Sequence, residues 1–189
     1  MSEADDRSTL PRWAIVTPAR LEHIERAARL VRQWAAEMGV SEGERRRWLR
    51  AVWLHDALRD APAEELERWA PTTPGPPSLR HGPASAARAK AEGETDRGVL
   101  DAVRYHSLGL AEWDMAGRTL YCADYLEPGR DFARERRAEL ALRYSTDPRG
   151  VLKEVASDRL AHLVASRWPI LDPTVRFWNS LADNSSSGS

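Results

Sequence analysis

Cysteine is nearly absent from this 189-residue chain, in which Cys122 is the only one. A lone cysteine excludes an internal disulfide and any zinc site built on a Cys-x-x-Cys pair. No apolar run approaches the roughly 20 residues that a membrane-spanning helix requires, and residues 1–12 are too polar to form a secretion signal. These absences predict a soluble, cytoplasmic protein with no membrane partner.

The chain also has almost no net charge, because its 28 Lys and Arg residues are balanced by 29 Asp and Glu residues. The resulting formal charge of -1 gives no global field that would attract nucleic acid or an anionic membrane. Acidic and basic residues are interspersed, so the run 134–137 is expected on a solvated helix face. We expect a small-molecule partner and no nucleic acid, and a homodimer is left open.

Strand-like alternation is missing from the sequence, whereas helical periodicity and capping signals recur. Thr17-Pro18 marks one helix start, since a capping side chain precedes a proline at the first helical position. Ser41 and Glu44 have the spacing of a capping box, which opens an amphipathic helix predicted over 41–60. The fold is therefore predicted to be all-α.

One domain is expected, because the length suits a single core. The predicted helical bundle covers 17–182, between a flexible segment, 1–16, and a disordered tail, 183–189. Four prolines within 71–78 predict a surface loop, since proline removes backbone donors and fixes φ. A further helix is predicted over 96–107.

The predicted helix 41–60 carries His55 and Asp56 near its end. His55 continues the apolar face of Trp48 and Val52, and Asp56 continues a neighbouring apolar face. Both side chains are therefore expected to point inward. A buried carboxylate is costly unless it meets a cation, a metal ion or several donors, so a metal in this groove is the simplest hypothesis.

The other histidines strengthen this signal. A single histidine on an apolar face is usually a structural residue, and that interpretation suits His162. Four others form an ordered set along the chain with Asp56 and Asp124: His23, His55, His81 and His106. Imidazoles and carboxylates without a thiolate suit Fe, Mn, Co, Mg or Zn, and ligands on several helices are typical of metal sites in helical bundles.

The order His, His-Asp, Asp resembles the HD superfamily of metal-dependent phosphohydrolases, which are all-helical. One branch, the YqeK-like bacterial symmetrical bis(5′-nucleosyl)-tetraphosphatases, is similar in the segments LEHIERAARL, WLHDALRD, LRHGPASA, VRYHSLG, LYCADYLEPGRDF and PILDPTVRFWNSL. The resemblance covers most of the chain and is most specific over 123–130. It implies a single-domain HD-type helical bundle, symmetrical cleavage of diadenosine tetraphosphate into two ADP, and an iron cofactor.

The resemblance also implies roles for individual residues. It assigns the metal to His23, His55, Asp56 and Asp124, with iron as the expected ion and manganese, cobalt, magnesium or zinc as alternatives. It places the substrate against Arg20, His23, His81, His106, Asp124 and Arg130, and the nucleoside near 167–172. The residues that it implies in catalysis are Asp56, His81 and His106.

Three positions depart from the pattern of that branch. Arg59 stands where the branch has Lys, Leu110 where it has a basic residue, and Asp172 where it has His. A carboxylate in place of a donor beside the nucleotide would change base or phosphate preference. Other nucleotide or guanosine alarmone substrates therefore stay open, and so does a regulator that binds metal and nucleotide without turnover.

Two accounts of His81 and His106 compete. Either they hold a second metal bridged by Asp56, or they contact phosphate oxygens and one protonates the leaving ADP. His81 starts a helix, where amide donors favour an anion over a cation. Pro128 ends the helix directly after Glu127, so no extra carboxylate ligand is evident. We therefore predict one metal ion, with both imidazoles facing phosphate.

Overall fold

Nine α-helices joined by loops make up residues 9–183, the part of the chain that the computed structural model describes. In chain order they are α1 (Pro18–Glu37), α2 (Glu42–His55), α3 (Ala63–Trp69), α4 (His81–Ala91), α5 (Arg97–Tyr105), α6 (Met115–Leu126), α7 (Arg134–Arg143), α8 (Pro148–Ala165) and α9 (Asp172–Asp183). No strand occurs within 9–183, which confirms the all-α prediction. In the same range, no helix is both long and apolar enough to cross a membrane.

The predicted terminal segments lie mostly beyond this range. Residues 1–8 of the predicted flexible segment and 184–189 of the predicted tail lie outside the described residues. The remainder of the N-terminal segment contacts the body of the protein, because the Ile15 amide donates to the Ala57 carbonyl at 2.8 Å.

Helix α2 lies at the centre of the bundle, in contact with α1, α4, α5 and α6. Its apolar face buries Trp48, Leu49 and Val52, none of which is more than 2% exposed. Fully burying one aliphatic side chain of this size contributes roughly 1.5–3 kcal/mol to stability. The same packing carries His55 and Asp56 into the interior.

The predicted C-terminal boundary of the helix 41–60 is wrong, since α2 ends at His55 and Asp56 leaves helical geometry (φ -110°, ψ 16°). Tertiary contacts override the periodicity here, because the Leu58 amide donates to the Ser85 hydroxyl at 3.1 Å. Asp56 is therefore released from the helical repeat, and its Oδ2 lies 3.5 Å from His55 Nε2.

Two other helix ends position histidines. His81 is the first residue of α4, as predicted. The helix predicted over 96–107 ends two residues earlier, at Tyr105, so that His106 is the C-terminal cap of α5. A Cβ atom at Gly82 would lie 3.0 Å from two carbonyl oxygens of α5, so glycine lets the start of α4 pack directly against the end of α5.

The basic run 134–137 is not wholly solvated, because Arg137 is buried. Its guanidinium donates to the main-chain oxygens of Tyr125 at 2.8 Å and Arg130 at 3.0 Å, and to that of Glu127. The prediction of a solvated face is therefore wrong for Arg137. These hydrogen bonds hold the turn between α6 and α7, which carries Arg130.

Candidate active site

Six buried side chains meet inside the bundle, and none is more than 7% exposed. They come from five helices or their ends: His23 from α1, His55 and Asp56 from the end of α2, His81 from the start of α4, His106 from the end of α5, and Asp124 from α6. The structure thus brings together the histidines and aspartates that the sequence singled out. His162 lies apart, exposed on α8.

Asp56 is the centre of this cluster, because each of its carboxylate oxygens faces two imidazoles. Oδ1 lies 3.1 Å from His81 Nε2 and 3.5 Å from His106 Nε2. Oδ2 lies 3.5 Å from His55 Nε2 and 3.8 Å from His23 Nε2. Burial by itself would raise the pKa of Asp56, but the surrounding imidazoles outweigh it and hold the pKa well below its usual value. Asp56 is therefore ionised at neutral pH.

The four imidazoles are oriented by hydrogen bonds on their outer nitrogen. Three Nδ1 atoms bond the main-chain oxygen three residues earlier: His55 to Val52 at 2.7 Å, His81 to Ser78 at 2.8 Å and His106 to Val103 at 2.8 Å. Because a carbonyl oxygen only accepts, Nδ1 carries the hydrogen in these rings. In the neutral form of these rings the Nε2 atoms, which face Asp56, therefore present lone pairs to the cluster.

Two of the inward nitrogens identify a place for a cation. Nε2 of His23 and Nε2 of His55 are buried and have no hydrogen-bond partner among residues 9–183. Buried polar atoms are normally satisfied, so unpartnered imidazole nitrogens beside a carboxylate fit a metal ion. His23, His55 and Asp56 offer ligand atoms that all lie within 4.8 Å of one another, so this group could hold a divalent metal. Asp124 lies outside that group, although its Oδ1 is 3.2 Å from His23 Nε2.

His81 and His106 form a second group with Asp56 that could also hold a metal. Their Nε2 atoms lie 3.0 Å apart. Two lone pairs at this separation repel each other unless a proton or a cation lies between them. Burial lowers the pKa of His81, and Asp56 opposes that shift only in part. The number of metal ions stays a prediction.

Three arginines surround the two aspartates. Arg20 Nη1 donates to Asp56 Oδ2 at 2.8 Å, and Arg130 Nη2 donates to Asp124 Oδ1 at 2.7 Å. Arg159, from α8, donates to Asp124 Oδ2 at 2.7 Å. Burial alone would raise the pKa of Asp124, but its cationic neighbours, Arg159 first, hold it well below its usual value. A carboxylate oxygen that accepts from arginine keeps another lone pair, so both aspartates can still bind a metal.

The sequence does not single out two members of this site. Glu127 is 1% exposed, its Oε1 lies 3.1 Å from His23 Nδ1, and its Oε2 accepts from Arg26 Nε at 2.5 Å. Burial would raise the pKa of Glu127, but hydrogen bonds with His23 and Arg26 bring it to about 2. The sequence feature that points to Glu127 is its three-residue spacing from Asp124. No such feature points to Arg159, since it follows Asp124 by 35 residues with no motif around it.

A cavity of about 270 Å³ adjoins the cluster at Ser107. Its walls are mainly apolar and include Trp69, Leu108 and Leu171. Leu171 belongs to the segment 167–172, which the resemblance places near the nucleoside. We name this space the Leu171 cavity.

The three departures from the family pattern differ in their surroundings. Arg59 Nη1 donates to the Ser78 carbonyl at 3.0 Å, next to the His81 ring. Leu110 packs against the core. Asp172 is exposed and pairs with Arg176 at 2.7 Å, so its charge is partly compensated within α9.

Comparison with known proteins gives a consistent result. The sequence pattern of the HD domain matches residues 20–143. A protein of Bacillus subtilis (strain 168) named symmetrical bis(5′-nucleosyl)-tetraphosphatase is 28% identical over 143 residues, which are 71% of this chain and 76% of that protein. A protein of the same name from Halalkalibacterium halodurans is 28% identical over 104 residues, 54% of each chain. Another, from Staphylococcus aureus, is 41% identical over 53 residues, 28% of this chain and 27% of that protein.

A solved structure shares the fold. The crystal structure of a predicted HD superfamily hydrolase involved in NAD metabolism from Clostridium acetobutylicum matches with a TM-score of 0.77. The match covers 89% of this chain and 92% of that one, at 21% sequence identity. This likeness shows a common architecture.

Proposed function

We propose that this chain, which belongs to the HD domain family, is a metal-dependent hydrolase that splits diadenosine tetraphosphate symmetrically into two ADP. The observation that carries the proposal is the buried cluster around Asp56, where two imidazole nitrogens lack a hydrogen-bond partner among residues 9–183. The names of the similar proteins from Bacillus subtilis and Halalkalibacterium halodurans support this choice of substrate.

The residues that would hold the metal are His23, His55, Asp56 and Asp124. A bound divalent ion supplies a Lewis acid and lowers the pKa of water from 15.7 to about 7. The imidazole and carboxylate donors suit iron, with manganese, cobalt, magnesium or zinc as alternatives. Glu127 would support this set, because a carboxylate on Nδ1 fixes the ring orientation of His23 and makes its Nε2 a stronger ligand.

The arginines and the remaining imidazoles would bind the phosphate chain. The side chains of Arg20 and Arg130 are 24% and 35% exposed, so each can reach a ligand while it contacts an aspartate. Guanidinium groups pair with phosphate oxygens and offset the charge that develops on the leaving ADP. His81 and His106 would contact phosphate oxygens, and one imidazole would deliver a proton to that ADP.

The test is an activity assay on the purified protein with Mn²⁺ or Fe²⁺ and a panel of nucleotides, the products being resolved by ion-exchange chromatography. Diadenosine tetraphosphate should yield ADP as the only nucleotide product. AMP together with ATP would mean asymmetrical cleavage, and faster turnover of another nucleotide or of a guanosine alarmone would change the substrate. No product with any metal would favour a regulator that binds metal and nucleotide.

A further inference from the structure

A dinucleoside tetraphosphate has a nucleoside at each end, so symmetrical cleavage requires room for a nucleoside on both sides of the scissile bond. The Leu171 cavity provides one such space. A second cavity, of about 550 Å³, also opens beside the cluster. We name it the aromatic cavity, after Tyr125 and Phe132 in its wall; Arg159, His162 and Leu163 also line it. Its volume falls within the range of small-ligand pockets, roughly 300–1,000 Å³.

We propose that the aromatic cavity binds the second nucleoside of a dinucleoside polyphosphate, an inference that rests on the proposed function. Among residues 9–183, Ser107 alone lines both cavities. Its Oγ lies 3.1 Å from His106 Nε2. The two cavities therefore diverge from one point beside the cluster, as the two ends of such a substrate must.

After Ser107, Arg159 is the second residue that connects the aromatic cavity with the cluster. Its Nη2 bonds Asp124 Oδ2, while its guanidinium carbon lies 4.3 Å from the ring centre of Tyr121 and 5.4 Å from that of Tyr125. The carboxylate and the two rings hold the guanidinium in place. A fixed positive charge between a cavity and the phosphate site suits the phosphate that is attached to a nucleoside.

The aromatic wall suits a planar base. Phe132 is 48% exposed, and its ring contacts Tyr125 edge to face with the centroids 5.5 Å apart. An exposed aromatic ring beside a cavity can stack on a base, and such stacking tolerates any base because every base has a π-face. The aromatic cavity would therefore select substrates with a second nucleoside over mononucleotides, with little preference between adenine and guanine.

The test measures binding, so that it stands apart from the assay of the proposed function. Calorimetry on the full chain loaded with Mn²⁺ would compare a methylene-bridged, non-hydrolysable diadenosine tetraphosphate with inorganic tripolyphosphate, which has no nucleoside. Phe132→Ala removes the stacking ring, and Leu163→Trp fills the cavity from α8. Phe132→Ala should weaken binding of the diadenosine analogue roughly 5- to 150-fold, the range expected from loss of base stacking. Leu163→Trp should also weaken it, because the larger side chain takes the space of the base. Tripolyphosphate affinity should stay unchanged.

Two further variants serve as controls. Leu142 is an apolar residue on α7 that is 74% exposed. It does not line the aromatic cavity, whose wall is defined here by residues 9–183. Leu142→Ala should therefore bind both ligands like the wild type. Phe132→Tyr keeps a ring and should keep the affinity.

Three results would overturn the assignment. The first is unchanged affinity for the diadenosine analogue in both Phe132→Ala and Leu163→Trp. The second is an equal loss of affinity for tripolyphosphate in these variants. The third is a wild type that binds the analogue no more tightly than tripolyphosphate. A wild type that binds the analogue but hydrolyses no diadenosine tetraphosphate would instead refute the proposed function and leave the cavity assignment standing.

Discussion

His81 and His106 approach each other to 3.0 Å between their Nε2 atoms, both on the Oδ1 side of Asp56. Both rings use Nδ1 to bond a main-chain oxygen, so the short approach requires a proton or a cation between them. A shared proton would equip the pair to protonate the leaving ADP. A second metal would make the same atoms ligands.

Metal content separates these two accounts. We predict that His81→Ala and His106→Ala keep metal content near that of the wild type, because the ion lies among the other ligands. Each variant should lower turnover by about 10²–10⁴-fold, the usual contribution of general acid–base catalysis. Elemental analysis and steady-state kinetics on the same preparations provide the measurement. A wild type with two ions per chain and variants with one would establish the dinuclear site.

Asp56→Ala should lose most of the bound metal, because Asp56 is the carboxylate common to both groups of candidate ligands. Elemental analysis of the purified variant measures the loss. Asp131→Ala is the matched control, since the side chain of Asp131 is 88% exposed and pairs with Arg134 at the surface. Equal metal in the wild type and in Asp56→Ala would refute the assignment of Asp56 as a ligand.

Glu127→Gln should weaken metal binding by about 10- to 100-fold, the usual effect of losing the carboxylate behind a metal-bound histidine. The substitution keeps the shape of the side chain and removes the charge that faces His23 Nδ1. Competition with a chelator gives the metal dissociation constant. Glu22→Gln is the control, because Glu22 contacts Arg26 but has a side chain that is 69% exposed. The idea fails if both variants bind metal equally well.

The metal-free protein should lose stability in mild acid because of His55. Burial, above all, lowers the pKa of His55 from 6.5 to about 4. Between these values the unfolded chain binds a proton that the folded chain does not, so the free energy of unfolding falls as the pH decreases, by up to about 3 kcal/mol. Denaturant titrations of metal-stripped wild type and His55→Asn at several pH values measure this loss.

The comparison between those two proteins isolates His55. The pKa of His23 is raised, because the attraction of the nearby Asp124 and Glu127 carboxylates outweighs its burial, so His23 contributes in the opposite direction. His23 is present in both proteins, and its contribution cancels. Wild type should therefore lose more stability than His55→Asn as the pH decreases, and parallel profiles would contradict the prediction.

Local signals predict helix starts in this chain better than helix ends. Thr17 and Ser41 cap α1 and α2 with hydrogen bonds that span three residues, and such contacts can be inferred from spacing alone. The end of α2 depends on contacts such as that between Leu58 and Ser85, which are 27 residues apart. Sequence periodicity carries no information about such partners.

The same limit applies to the site. The histidines and aspartates can be identified as a set from the sequence, because their residue types share one chemistry, the binding of a metal ion. The role of Arg159 depends on where α8 packs against α6, and Arg137 is buried only because the turn after α6 presents carbonyl oxygens to it. Arginines are common in this chain, so residue type alone does not distinguish these two from solvated ones.

The end of α2 also couples helix length to the chemical form of His55. The Asp56 amide donates to the Leu54 oxygen, and the Val52 oxygen accepts from the His55 ring. In one more helical turn the Asp56 amide would also donate to the Val52 oxygen, so the His55 ring would share the acceptor that selects its tautomer. A substitution that lengthens α2 would therefore weaken the hydrogen bond that favours the metal-binding tautomer of His55, with no ligand residue having been changed.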